Sequence, residues 1–100
     1  MIILEQFVLS DGTLVRLEDW SVDYKCYSYG ATIAAYPKKY ARIRAEIDFE
    51  NHTEAKATFD KLVDGSLDII DVNFTIMERG GNRVPFAPVL KKYRRIADDD

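Results

Sequence analysis

Residues 40–65 read YARIRAEIDFENHTEAKATFDKLVDG, and a change of hydrophobic period inside this stretch decides the fold. Over residues 40–49 apolar and polar side chains alternate, which is typical of a strand with one buried face and one wet face. After Asn51 the apolar residues recur at helical spacing. Asn51 has a glutamate three residues later, as in a capping box, and Gly65 suits the position that follows a helix C-terminus. The stretch therefore predicts a strand over 40–49 and a helix over 52–64.

The strand before this unit, residues 26–36, is expected to pair with residues 40–49 through a loop that begins at Pro37, because proline presets a turn dihedral. A three-residue loop places Ile33 opposite Ile43 and makes the inward-facing pairs apolar. The sequence therefore predicts an antiparallel hairpin with that register.

At the N-terminus, strands over residues 2–9 and 13–19 flank an Asp-Gly dipeptide, which is a strong hairpin signal. A two-residue loop at that dipeptide would set Glu5 opposite Glu18, and like charges that face each other across a sheet are unfavourable. We therefore expect a bulge or a longer loop to relieve this pairing.

The C-terminal third completes the predicted architecture. Residues 67–78 predict a further strand. Its inward-facing residues would be Ile70, Val72, Phe74 and Ile76. Pro85 and Pro88 restrict the next segment to a short edge strand or an irregular conformation, and the last apolar residues predict a short C-terminal helix. Residues 1–100 are therefore expected to form a single α+β domain, with a mostly antiparallel sheet of five to six strands and one main helix packed on one face.

The composition is that of a globular protein, with 47% hydrophobic and 31% charged residues. No apolar run approaches the roughly 20 residues that a membrane-spanning helix needs. Cys26 is the single cysteine, so no internal disulfide can form, and the first residues carry no basic leader. We therefore expect a cytoplasmic protein that does not enter a membrane.

Charge lies in blocks along the chain, although the net charge is −3. Residues 1–37 carry five acids and two bases, residues 38–44 carry four bases, and residues 45–78 carry nine acids and two bases. Residues 79–97 carry six bases, and the chain ends in three aspartates. Such blocks are compatible with a surface that meets a charged partner, and also with blocks that mix in space once the chain folds.

The first candidate site is a cluster of tyrosines and basic residues at the polar face and turn of strands 26–36 and 40–49. Its members are Tyr36, Lys38, Lys39, Tyr40, Arg42 and Arg44. Tyrosine and arginine are enriched at the centres of protein interfaces, and aromatic rings beside basic residues can also stack on single-stranded nucleic acid. A plain solvated sheet face is the third interpretation, and the sequence leaves all three open.

Two further charged surfaces are candidates, and each is also compatible with ordinary solvated side chains. A secondary basic patch, suited to phosphates, comprises Arg79, Arg83, Lys91, Lys92, Arg94 and Arg95. An acidic surface, suited to a basic partner, comprises Glu46, Asp48, Glu50, Glu54, Asp60, Asp64, Asp68 and Asp71.

Catalytic chemistry finds little support in the sequence. His52, the single histidine, falls in the first turn of the predicted helix, where the helix dipole disfavours its charged form. Cys26 has no histidine beside it, and the carboxylates lack EF-hand spacing. We therefore expect no enzyme, no cofactor and no metal site. The favoured function is a small interaction module that binds a protein partner or assembles with itself, such as an accessory or inhibitor protein of a phage or mobile element. The alternative is a single-stranded nucleic-acid-binding domain that uses the Tyr/Arg sheet face and the basic C-terminal segment.

Overall fold

A computed structural model describes the chain over residues 1–20, 30–37, 42–78 and 80–98. These residues form one six-stranded antiparallel sheet and two helices, so the predicted α+β class is confirmed. Five residues named in the sequence analysis lie outside the described residues, namely Cys26, Lys38, Lys39, Tyr40 and Arg79.

The strands follow one another across the sheet in the order in which they occur along the chain. They are β1 (Ile2–Val8), β2 (Leu14–Asp19), β3 (Ala31–Tyr36), β4 (Ala45–Phe49), β5 (Thr75–Met77) and β6 (Arg83–Pro85). Helix α1 (His52–Asp64) joins β4 to a 3₁₀ turn (Ile69–Asp71) that precedes β5, and helix α2 (Ala87–Asp98) follows β6. In the described sheet, β1 and β6 are therefore the two edge strands.

Helix α1 has the predicted bounds and the predicted ends. The Asn51 side chain accepts a hydrogen bond from the Glu54 backbone N–H at 2.8 Å, which satisfies one free donor of the first turn. Gly65 adopts φ 83°, a left-handed conformation that costs glycine little. The inward residues of α1, Ala55, Phe59 and Leu62, are buried against the sheet, where the helix lies over β2, β3 and β4.

A loop longer than two residues resolves the charge conflict of the first hairpin, as the sequence led us to expect. The Leu9 N–H donates to the Thr13 carbonyl at 2.8 Å, so the loop spans residues 10–12 and Glu5 lies opposite Leu17. A bulge follows, where the pairing shifts between Ile3 and Glu5. Glu18 then faces Ile3 instead of another carboxylate.

The predicted register of the central hairpin is wrong. Ile33 lies opposite Ile47 and not opposite Ile43, because β4 begins at Ala45 and the connection from β3 is longer than three residues. A shift of four residues keeps every side chain on its original face, since side chains alternate with a period of two. The hydrophobic pattern therefore fits both registers, and the length of the connection decides between them.

The strand predicted over residues 67–78 is also shorter than expected. The Asp68 side chain accepts the Ile70 backbone N–H at 3.0 Å and starts the 3₁₀ turn, so a local side-chain bond replaces a strand pairing. Ile69 is buried in this turn, and Phe74 is buried just before β5. The ring of Phe74 meets that of Phe86 edge to face, with centroids 6.4 Å apart. The predicted edge strand and short C-terminal helix are both present.

Burial extends to the sheet face that was expected to be wet. On the α1 side, β2, β3 and β4 contribute a core of buried apolar residues. On the opposite side, Glu18, Thr32 and Ala34 are buried as well, at 0%, 3% and 0% exposure. The expectation that this face of residues 26–36 is wet is therefore wrong at Thr32 and Ala34. Among the described residues, no helix has both the length and the apolar character that crossing a bilayer requires.

Candidate interaction surface

The Tyr/Arg cluster of the sequence contains an ion pair with a buried carboxylate. Arg44 Nη2 lies 2.6 Å from Glu18 Oε1, and Arg44 Nη1 donates to Glu18 Oε2 at 2.9 Å. Trp20 Nε1 donates to the same carboxylate at 3.1 Å. The hydrogen bonds to Glu18 raise the pKa of Arg44 further above its ordinary value. Arg44 is thus the main compensating charge for Glu18, which has no exposure to water.

Tyr36 belongs to the same network. Its hydroxyl accepts a hydrogen bond from Arg44 Nη1 at 2.7 Å, and the Arg16 guanidinium lies 5.2 Å from the centre of its ring. Tyr36 comes from β3, Glu18 from β2, and Arg44 from the residue before β4, so alternation puts all three on one face. The ring and the guanidinium therefore contact other residues of the protein, although the Arg44 side chain keeps 29% of its surface exposed.

The structure places Arg42 differently from its predicted companions. Arg42 is exposed, outside any strand, and Tyr36 and Arg44 form an internal network. The structure therefore brings together two of the predicted cluster residues, leaves a third at the surface, and does not describe the other three.

Charges that lie in separate blocks of the sequence pair with one another in space. From the predicted basic patch, Arg83 contacts Glu46 at 2.9 Å. Arg94 contacts Asp68 and Asp11, each at 2.9 Å. Among the described residues, these pairs join the basic C-terminal segment to the acidic middle of the chain and to the first hairpin.

The remaining members of both predicted surfaces are exposed where the structure describes them, and they differ in whether they contact other residues. Lys91 and Lys92 are exposed, and the side chain of Arg95 lies outside the described residues. Glu50, Glu54 and Asp71 are exposed as well. Other acidic residues are engaged: Asp48 accepts the Thr32 hydroxyl at 2.6 Å, Asp60 binds Lys56 at 2.8 Å, and Asp64 accepts the Ser66 N–H at 2.7 Å.

The first strand carries the surface that sequence reasoning missed. All seven residues of β1 are exposed. The large apolar side chains among residues 1–8 keep about half of their surface in water. They are Met1, Ile2, Ile3, Leu4, Phe7 and Val8, at 42–59% exposure. A signal was present in the run of apolar residues without alternation, which is typical of a strand covered on both faces.

A lysine from the helix neutralises the single charge on β1. Lys56 Nζ lies 2.6 Å from Glu5 Oε2 and 2.8 Å from Asp60 Oδ1. The hydrogen bonds to Asp60 and then to Glu5 raise the pKa of Lys56, which keeps it charged. Edge strands usually carry free charges that discourage pairing with another chain, and β1 carries one that is already paired.

A cleft lies beside the C-terminal end of β1. It has a volume of about 500 Å³ and lies between the first hairpin, the end of α1 and Arg94 of α2. Phe7 lines it from the strand, and Leu62, Leu67 and Ile69 line it from the helical side. The apolar surface of β1 therefore continues into the body of the protein.

Comparison with protein-family models, with curated proteins and with solved structures finds no match to this chain. Among the described residues, no three histidine, cysteine, aspartate or glutamate side chains are grouped so that they could hold a metal ion. Among the described residues, the exposed large apolar side chains are concentrated at residues 1–8, with Met77 the other one.

Proposed function

We propose that this protein is a non-enzymatic interaction module that binds another polypeptide by strand addition at β1. The observation that carries the proposal is a seven-residue edge strand with exposed apolar side chains on both faces. An edge strand offers a row of backbone donors and acceptors, and another extended chain is the natural partner for such a row. Apolar side chains on both faces add affinity once the partner covers them.

Arg44 and Tyr36 of the Tyr/Arg cluster already contact other residues of the protein. This favours β1 as the binding site over the sheet face that carries the cluster. Arg44 is committed to Glu18, and the Tyr36 ring lies against Arg16. Removing Arg44 from this network to bind a ligand would leave the buried Glu18 without its main partner. Binding of single-stranded nucleic acid is the alternative, and among the described residues of the two predicted basic clusters Arg42, Lys91 and Lys92 are exposed and available for it.

Strand addition can be tested with a charge placed on β1 and a matched charge placed elsewhere on the sheet. Val8→Lys and Met77→Lys each replace an exposed apolar residue, at 59% and 54% exposure, but Met77 lies in β5. Proteins retained from the native host by the wild type would be identified, purified and titrated against each variant. We expect Val8→Lys to weaken binding at least tenfold and Met77→Lys to leave it unchanged. Equal binding by both variants would contradict the proposal, and so would binding to single-stranded oligonucleotide alone.

A further inference from the structure

We infer that the polypeptide that binds β1 is a second copy of this chain, paired antiparallel through β1 across a two-fold axis. The inference rests on the proposed function and specifies its partner. The pair would form one continuous sheet, with the six strands of each copy meeting at the two β1 edges.

The distribution of polarity along β1 suits pairing with itself. The apolar residues lie at the two ends of the strand, with Ile2, Ile3 and Leu4 at one end and Phe7 and Val8 at the other. Antiparallel pairing sets the first end of one copy beside the second end of the other, so apolar surface meets apolar surface twice. The residues Ile2–Leu4 of each copy would also lie next to the cleft that Phe7 lines.

The charge at the middle of the strand is also compatible with a two-fold axis. Glu5 is the central residue of Ile2–Val8, so it lies close to its own copy in a symmetric pair. Two facing carboxylates repel each other unless a cation lies between them. Each Glu5 already has Lys56 at 2.6 Å, so a pair of carboxylates would arrive with a pair of ammonium groups.

The exposed apolar area reaches the lower limit for a specific dimer. Six apolar side chains keep about half their surface in water, on the order of 500 Å² per copy, so a pair has about 1,000 Å² of apolar surface available, and pairing covers the part of it that lies next to the partner strand. The assembly also closes on itself, because both β1 edges are used and the outer edges are the short β6 strands. A dimer is therefore the expected end point, and not a growing fibre.

Analytical ultracentrifugation of the full chain tests the inference directly. Over about 1 μM to about 500 μM, a range that covers weak dimers, we expect the mass to rise from 11.5 kDa to twice that value. Val8→Lys should weaken dimerisation at least tenfold, and Ile3→Lys, at the other end of the strand, should act alike. Met77→Lys should dimerise as the wild type does. Thermal melting of each variant under monomeric conditions checks that the fold is retained.

A charge-matched pair of variants tests the role of Lys56. Lys56→Gln and Lys61→Gln remove the same charge from the same helix, but Lys61 lies in its last turn and Lys56 contacts β1. We expect Lys56→Gln to weaken dimerisation several-fold and Lys61→Gln to leave it unchanged. Equal effects would show that net charge, and not the Glu5 contact, controls association.

Hydrogen exchange locates the dimer contact on β1, and binding to a host protein separates failure of this inference from failure of the proposed function. Backbone amides of residues 2–8 should exchange more slowly as the protein concentration rises. A monomer at every concentration, or a dimer that is unaffected by Val8→Lys and Ile3→Lys, overturns the second copy as partner. If such a monomer still binds a purified host protein in a Val8-dependent manner, strand addition stands and the partner is a different chain. If it binds none, both proposals fall.

Discussion

The two edges of the sheet are built in opposite ways. β6 is three residues long, contains Pro85, and carries Arg83, which contacts Glu46 at 2.9 Å and Thr75 at 3.2 Å. β1 is seven residues long, contains no proline, and has a single charge that Lys56 neutralises. Short length, proline, charge and bulges are the usual means by which a protein protects a sheet edge from pairing, and β1 has only the bulge between Ile3 and Glu5. The sheet is thus more strongly protected at β6 than at β1, and β1 is the edge at which we propose that a partner binds.

The difference between the two edges extends to the layer beneath them. The chain beside β6 is held by two buried aromatic rings, Phe74 and Phe86, at 2% and 1% exposure. The aromatic residue of β1, Phe7, keeps 42% of its surface exposed. Phenylalanine therefore stabilises the fold at one edge, and at the other it is available for a partner.

The largest expected effect comes from truncating one phenylalanine at each edge. Phe74→Ala should lower the free energy of unfolding by about 3–5 kcal/mol, because it removes a buried ring and leaves a cavity. Phe7→Ala should cost less than about 1 kcal/mol in the monomer, because the ring is already half in water. Urea unfolding measures both losses of stability. Association should be weakened more by Phe7→Ala than by Phe74→Ala. Equal losses of stability would mean that Phe7 belongs to the core.

A second comparison concerns Arg44 and Arg83, which both contact Glu46. Arg44 also binds the buried Glu18. Arg44→Ala should cost about 3 kcal/mol, the low end of the range for breaking a buried ion pair, because Glu18 keeps its bond from Trp20. Arg83→Ala should cost about 0–1 kcal/mol, as for other exposed pairs.

A control separates the arginine's charge from its bulk. Glu18→Gln combined with Arg44→Met removes both charges, and it should be less destabilising than Arg44→Ala alone, since no uncompensated buried charge remains. Chemical unfolding of the three variants decides the point. A loss for Arg44→Ala no larger than for Arg83→Ala would show that Glu18 has access to water.

The smallest expected effect is a pH dependence of stability that comes from Asp68, which Arg94 joins to the turn between β1 and β2. Arg94 contacts both Asp11 of this turn and Asp68. The hydrogen bond from Arg94, and after it the one from the Ile70 N–H, lowers the pKa of Asp68 below its ordinary value. A lowered folded-state pKa favours the folded state above the unfolded pKa, near 3.8, and this contribution is lost as the pH falls through the folded value. Stability should therefore fall from about pH 5 to about pH 3 more steeply in the wild type than in Asp68→Asn.

The exposed Asp71, which ends the 3₁₀ turn, provides the control for this measurement. Asp71→Asn should retain the wild-type slope, because no arginine contact is removed. Urea midpoints at the two pH values measure the slopes. If Asp68→Asn loses as much stability on acidification as the wild type, Arg94 does not favour the charged form of Asp68.

Local signals explain why some elements could be predicted and others could not. The bounds of α1 follow from Asn51 and Gly65, which act on their own neighbours in the chain. The register of β3 and β4 depends on the length of a connection, and a shift of four residues leaves the pattern unchanged. The length of the strand after α1 was overestimated, because Asp68 competes locally for a backbone N–H.

The candidate surfaces were harder to predict because exposure depends on neighbours that are distant in sequence. Glu18 has the alternation of a wet residue, and its burial depends on Arg44 and Trp20. The apolar run of β1 is typical of a covered strand, and it is exposed because β1 lies at the edge of the described sheet while α1 packs over β2, β3 and β4. No pattern within residues 2–8 specifies that position.

The sequential strand order also bears on how the chain folds. Each strand pairs with the strand that precedes or follows it in sequence, so most pairings close short loops, and chains with such local contacts fold quickly. β1 leaves the ribosome before the other five strands and can pair with β2 before the rest of the sheet exists. Its outer edge is therefore open throughout synthesis, and nascent chains on one messenger meet at a high local concentration. If β1 pairs with a second copy as proposed, that assembly can begin during translation, ahead of the completed fold.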